Sequence, residues 1–167
     1  MPRRTPLLAP LVLLSAAAPA GVALPQAAAP AKPAAPAPAP YVMTMGDMMN
    51  TLIQPRHAKL GLAGQARNWP LAQYALVEIR QAFAGIVKAQ PRFMGLPVDQ
   101  LVDAAVTQPM NAVDAAIKEQ DANKFATAYA QLTAGCNACH TAVEHPFVVI
   151  KVPEASAFPN QDFNPPH

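Results

Sequence analysis

Between about residues 42 and 63 the apolar positions Met45, Met48, Met49, Leu52, Leu60 and Ala63 recur at steps of three and four. That is the spacing of a helix with one buried face. Pro55 falls inside this run. It has no N–H for the ladder and its ring crowds the carbonyl four residues back, so a kink or short break is expected there. A second stripe is formed by Leu71, Ala75, Ile79, Phe83, Ile86 and Val87. Asn68 suits its N-cap, Trp69 and Pro70 suit its first turn, and Pro91 stops it. A third region has a first piece over residues 98–107, an interruption or restart at Pro109, and a second piece to about Gln120. Leu101, Val102, Ala105, Val113 and Ile117 are its apolar positions. Asp121 can cap a fourth helix with the stripe Phe125, Tyr129, Leu132, Cys136, Cys139 and Val143. No segment alternates with the period of a strand before residues 147–152. Short connections favour antiparallel neighbours, so the expected fold is all-α: an antiparallel four-helix bundle with an irregular C-terminal tail.

The N-terminal region has a different character. Arg3 and Arg4 precede an apolar run over residues 7–18, and small residues follow, with Ala18-Pro19-Ala20 and Gly21-Val22-Ala23 as cleavage sites. This pattern predicts a secretory signal peptide over residues 1–23, too short for a spanning helix. Residues 24–40 are almost entirely Ala and Pro and predict an extended, semi-rigid linker. The remainder divides into a helical domain over 41–146 and a C-terminal extension over 147–167. The extension's prolines and its Phe147, Phe158 and Phe163 fit a segment packed over the helices or a disordered one. Without Arg3 and Arg4, the twelve basic residues of the full chain become ten, equal to its ten acidic residues. A near-neutral mature chain has no basic tract for nucleic acid.

Both cysteines of the chain lie in the run Cys136-Asn137-Ala138-Cys139-His140. This is C-x-x-C-H, the attachment signature of c-type haem. Two thiols one helical turn apart can each add to a vinyl group of one porphyrin, and the adjacent imidazole can then ligate the iron. The competing readings are a disulfide, a thioredoxin-like redox pair or half of a zinc site. A redox pair normally sits in a βαβ setting, which the pattern lacks. A zinc site needs a fourth ligand, and there is no second cysteine pair. Haem attachment to an exported chain implies the bacterial periplasm. The cofactor expected is therefore one covalent haem c, held by Cys136 and Cys139, with His140 as proximal iron ligand.

The order of these features, an export signal, four amphipathic helices and C-x-x-C-H late in the last helix, resembles the class II cytochromes c, the cytochrome c-prime family. Class I cytochromes c carry the motif near the N-terminus. The resemblance covers roughly residues 43–143. It implies that the first helix, antiparallel to the fourth, supplies the distal side of the haem. In that family the distal residue lies about sixteen positions before a glycine that closes the helix, and counting back from Gly64 reaches Met48. Met48 is thus the predicted distal ligand and Met45, one turn earlier, the alternative; Met49 is offset by about 100°. Met43 completes the cluster, and core filling is its other reading. His57 lies nine residues after Met48, about 13 Å along a straight helix, so both cannot reach one iron. A capping or propionate contact is the plainer role for His57. Arg56 and Lys59 are candidates to neutralise propionates, and His145 and His167 are expected to be exposed. Two positions depart from the family. Thr44 stands where an arginine is common, four before the distal residue, and Glu144 stands where a basic residue is common, four after the ligating histidine.

The function these readings imply is single-electron transfer by a periplasmic monohaem cytochrome with redox partner proteins. There is no acid–base pair, activated nucleophile or phosphate loop to suggest an enzyme. No nucleic acid and no membrane insertion after signal cleavage are expected, and the family resemblance admits a homodimer. The alternatives are a five-coordinate haem protein that binds NO or CO, and a haem subunit docked on a larger oxidoreductase.

Overall fold

A computed structural model describes residues 39–166. The predicted signal peptide, most of the linker and His167 lie outside the described residues. The rest is mostly helical. Helix α1 covers residues 45–65, in three consecutive parts: Met45–Met48, a π-helical turn Met49–Ile53, and Gln54–Gln65. Helix α2 is Trp69–Ala89. Helix α3 covers residues 98–119, again in three parts: Val98–Val102, a π-helical turn Asp103–Thr107, and Gln108–Glu119. Helix α4 is Ala122–Ala142. Between α2 and α3 a two-residue pair, β1 (Arg92–Phe93) and β2 (Leu96–Pro97), forms an antiparallel hairpin. Met94 and Gly95 turn it with positive φ at both positions, the geometry of the tight turns that match strand twist.

The caps explain where the helices begin. Thr44 accepts the Asp47 N–H at 3.2 Å, and the Asp47 carboxylate accepts the Thr44 N–H at 2.9 Å. This reciprocal box starts α1, so Thr44 serves the helix end. Asn68 caps α2 through the Leu71 N–H at 3.2 Å, and Asp121 caps α4 through the N–H groups of Asn123 and Lys124. Each such cap contributes about 1 kcal/mol.

The prolines act differently from the expected breaks. Neither Pro55 nor Pro109 ends its helix. Each follows a π-helical turn, and the Gln54 N–H reaches back five residues to the Met49 carbonyl. A proline cannot donate to the carbonyl four back and its ring displaces that carbonyl. Widening the preceding turn relieves the crowding while the helix continues.

Each helix packs on two neighbours: α1 on α2 and α4, and α3 on α2 and α4. The cross-helix pairs show opposed directions. Along α1 and α4, His57, Gly61 and Gly64 meet Thr133, Tyr129 and Phe125 in turn. Between α2 and α3, Gln73 bonds Asp114 at 3.1 Å and Arg80 bonds Asn111 at 2.9 Å. The core between them includes Leu60, Leu76, Ile79, Val113 and Leu132, all fully buried. Each contributes about 1.5–3 kcal/mol by leaving water. Gly64 lets the Phe125 ring lie directly on α1, since a Cβ there would come within 2.0 Å of it. Gly135 lets α4 approach the π turn of α3, where a Cβ would meet the Ala105 carbonyl at 2.1 Å. Ala105 is the residue whose carbonyl Pro109 leaves without its usual donor. Among the described residues no helix is long and apolar enough to cross a membrane.

Candidate functional site: an apolar cavity over the cysteine–histidine motif

One cavity is bordered by Cys136, Cys139 and His140 from α4 and by Met45, Met49 and His57 from α1. Ala105 and Val106 of α3, Phe93 of the hairpin and Val148 and Ile150 of the tail complete its walls. Both π-helical turns face it, through Met49, Asn50 and Ile53 and through Ala105 and Val106. The chain of cause therefore runs from two prolines to two widened turns to an opening between α1, α3 and α4. No Lys, Arg, Asp or Glu is among the described residues that border it.

Helix α4 continues unbroken through the motif. Cys136 is buried, and Cys139 and His140 are half-buried. Burial pushes the Cys136 thiol up to about 12 and raises that of Cys139 as well. The pair also sits at the C-terminal end of its helix, where the dipole disfavours a thiolate. Thioredoxin-type pairs need the reverse arrangement, a helix N-terminus that favours the thiolate. Among the described residues no group of three or more His, Cys, Asp or Glu could hold a bare metal ion.

The His140 Nδ1 lies 2.8 Å from the Val148 carbonyl. A carbonyl only accepts, so Nδ1 carries the proton and the neutral ring keeps its lone pair on Nε2, the atom free to bind a metal. Past α4 the chain turns back in a Schellman motif, with His145 N–H on the His140 carbonyl at 2.8 Å and Glu144 N–H on that of Thr141 at 3.2 Å. Glu144 takes the left-handed conformation at φ 61° that this turn requires. The turn returns His145 to the cavity wall, half-buried, with its ring 6.0 Å from Phe93 and 5.4 Å from Phe147. His145 was expected to be exposed. The sequence shows no periodicity after α4 that would have placed it.

The methionines divide. Met45 is buried and borders the cavity; Met49 is half-buried and also borders it. Met48 is buried in the core and does not border the cavity. The α1 wall is the stripe Met45, Met49, Ile53 and His57. The sixteen-position spacing that points to Met48 is what the resemblance implies; here the run back from Gly64 crosses the π turn Met49–Ile53, and Met48 lies in the core.

Arg56 and Lys59 are likewise elsewhere. Arg56 pairs with Glu78 of α2 at 3.5 Å, and the Lys59 ammonium lies 4.8 Å over the Phe158 ring. Neither borders the cavity.

His57 neither caps a helix nor turns a free nitrogen to the cavity. Nε2 lies 3.0 Å from the Thr133 hydroxyl and Nδ1 lies 3.0 Å from the Tyr129 hydroxyl, which also donates to the His57 carbonyl at 2.7 Å. Thr133 donates in turn to the Tyr129 carbonyl at 2.9 Å. Each hydroxyl has one proton, so in the neutral ring one nitrogen donates to a hydroxyl oxygen and the other accepts only when its hydroxyl turns from the backbone carbonyl to the ring. The ring stacks on Tyr129 at 4.7 Å. Burial lowers the imidazole from 6.5 to about 4. The folded chain therefore refuses a proton that the unfolded chain takes up across this window. Stability rises with pH between about 4 and 6.5 and is lost as pH falls through it, by about 3 kcal/mol in full. In urea unfolding, His57→Gln is expected to reduce that loss; an undiminished loss between pH 6.5 and 4 would place the pH dependence in another group.

No family model, no curated protein and no solved structure matches this chain.

Proposed function

We propose that this protein is a periplasmic c-type cytochrome of the antiparallel four-helix-bundle class, carrying single electrons on one covalent haem. The observation that supports this best is that both thiols and the oriented His140 imidazole border one apolar cavity across from the Met45 thioether. The residues present suit the group. Cys136 and Cys139 would tether the porphyrin by thioether bonds, and His140 would offer Nε2 to the iron. The apolar walls from α1, α3, the hairpin and the tail would exclude water. When bound, haem supplies an iron that cycles between ferric and ferrous forms.

Met45 replaces Met48 as the proposed distal ligand. A thioether there favours the ferrous form and raises the potential. It also closes the iron to exogenous ligands, which separates an electron carrier from a protein that binds NO or CO. The test is the absorbance spectrum of the purified, haem-bound protein with and without CO. Low-spin bands, a weak methionine–iron charge-transfer band in the oxidised form, and no rapid shift under CO are expected. High-spin bands and rapid CO binding would move the function to gas binding.

A further inference from the structure

We propose that the segment 148–150 is a positioning strap for the iron-binding imidazole, an inference that rests on the haem reading above. The segment is neither helix nor strand, yet it is held along α4 at two places. The Val148 carbonyl accepts the His140 Nδ1–H at 2.8 Å. Two residues on, Ile150 is gripped from both sides of its backbone. Its N–H donates to the Asn137 Oδ1 at 2.7 Å, and its carbonyl accepts from the Asn137 Nδ2 at 2.9 Å.

Two periodicities make the match. An extended chain presents residues two apart to the same side, so the backbone groups of Val148 and Ile150 both turn to α4, while the Val149 side chain is 62% exposed and that of Val148 39%. A helix puts residues three apart on neighbouring positions of one face, which brings Asn137 and His140 to the same edge. Asn137 is a spacer of the attachment motif, where any residue satisfies the thioether chemistry. Its side chain is instead used to fix the height of the Val148 carbonyl.

The rest of the tail is anchored away from the cavity. Gln65 donates to the Pro153 carbonyl at 3.0 Å, Asn68 donates to the Asn164 carbonyl at 2.9 Å, and Phe163 is buried. These bonds hold the tail on the helices. Near His140, the Val148 N–H donates to the His145 carbonyl at 3.0 Å, and the Asn137 grip fixes the chain two residues on, at Ile150.

A carbonyl on Nδ1–H fixes the tautomer and ring orientation of a metal-binding histidine and makes Nε2 a stronger donor. A stronger donor favours ferric iron, so the strap lowers the reduction potential. Asn137 is accordingly a positioning residue, and the Val148 carbonyl is the group it positions.

The test is the midpoint potential of the haem-bound full-length protein, with solvent exchange of the His140 Nδ1 proton followed by NMR in the reduced form. Asn137→Ala removes the grip from the helix side. Ile150→Pro removes the strap's N–H and leaves the attachment motif untouched. Both are expected to speed proton exchange. Both are expected to raise the potential by a tenfold change in the ferrous-to-ferric ratio, about 59 mV for one electron. Gln65→Ala, which frees the tail at Pro153, should leave both readouts at wild-type values. Wild-type potential and exchange in Ile150→Pro, with haem bound, would overturn the strap. A wild-type protein without covalent haem would overturn the reading beneath it, and the two failures are distinct.

Discussion

Replacing both Cys136 and Cys139 by alanine is expected to give an exported chain with no covalent haem and no well-packed native state. The first half follows from the motif, since no other cysteine exists to form a thioether. The second follows from the cavity. Its walls are mostly apolar side chains from all four helices, the hairpin and the tail. Without the group, these walls face empty space or water. Truncating one large buried side chain costs about 2–5 kcal/mol through lost contacts and the void left behind. A porphyrin is larger than any side chain, and a domain has only about 5–15 kcal/mol in total. Binding to the native state alone supplies the difference. The single variants Cys136→Ala and Cys139→Ala should each retain one bond and show weaker attachment. Thermal melts followed by circular dichroism, with haem extraction measured on the same samples, check this. A cooperative melt of the double variant at the wild-type temperature would show that the cavity needs no occupant.

Met45→Ala is expected to convert the oxidised protein from low-spin to high-spin, admit CO in the reduced form and lower the midpoint potential, because a thioether that favours ferrous iron is lost. Met48→Ala should do none of these. Met48 is buried in the core, so its loss should cost about 2–5 kcal/mol of stability and leave the spectrum alone. Met49 borders the same cavity. If Met49→Ala alone produced the high-spin form, the ligand would move one turn along α1 and the electron-carrier reading would stand. If neither variant altered a spectrum that was high-spin and CO-sensitive from the start, gas binding would replace it. His145→Ala serves as a control, because His145 follows His140 on the same segment of the wall.

The helices were legible in the sequence because each depends on a local signal. The stripes through Ile79, Val113 and Leu132 point into the core, and Asn68 and Asp121 cap the helices that their positions announce. Pro55 and Pro109 were legible as disturbances, but not as π turns. Whether a helix breaks or widens at a proline depends on the packing around it, and here α2 packs on both the π turn and the part of α1 that follows it. Met45 borders the site and Met48 lies in the core, a difference of side-chain direction that two apolar positions of one helix do not announce. The motif located Cys136, Cys139 and His140 on chemistry alone. The partners of His140 could not be read in that way. The Val148 carbonyl and the Asn137 grip join backbone atoms to a side chain across a reversal of the chain, and backbone carbonyls carry no residue type. For Arg56 and Lys59 charge alone suggests either a propionate contact or a solvated face, whereas Glu78 and the Phe158 ring, brought close by the fold, engage them.

The most direct test of the central claim is the intact mass of the protein purified from a periplasm competent for cytochrome c maturation, before and after acid–acetone treatment. The account predicts a processed chain heavier by one haem, with the added mass and the Soret band retained through extraction and both thiols unreactive to alkylation. A chain of polypeptide mass alone, with Cys136 and Cys139 free to alkylate and no Soret band, would contradict it.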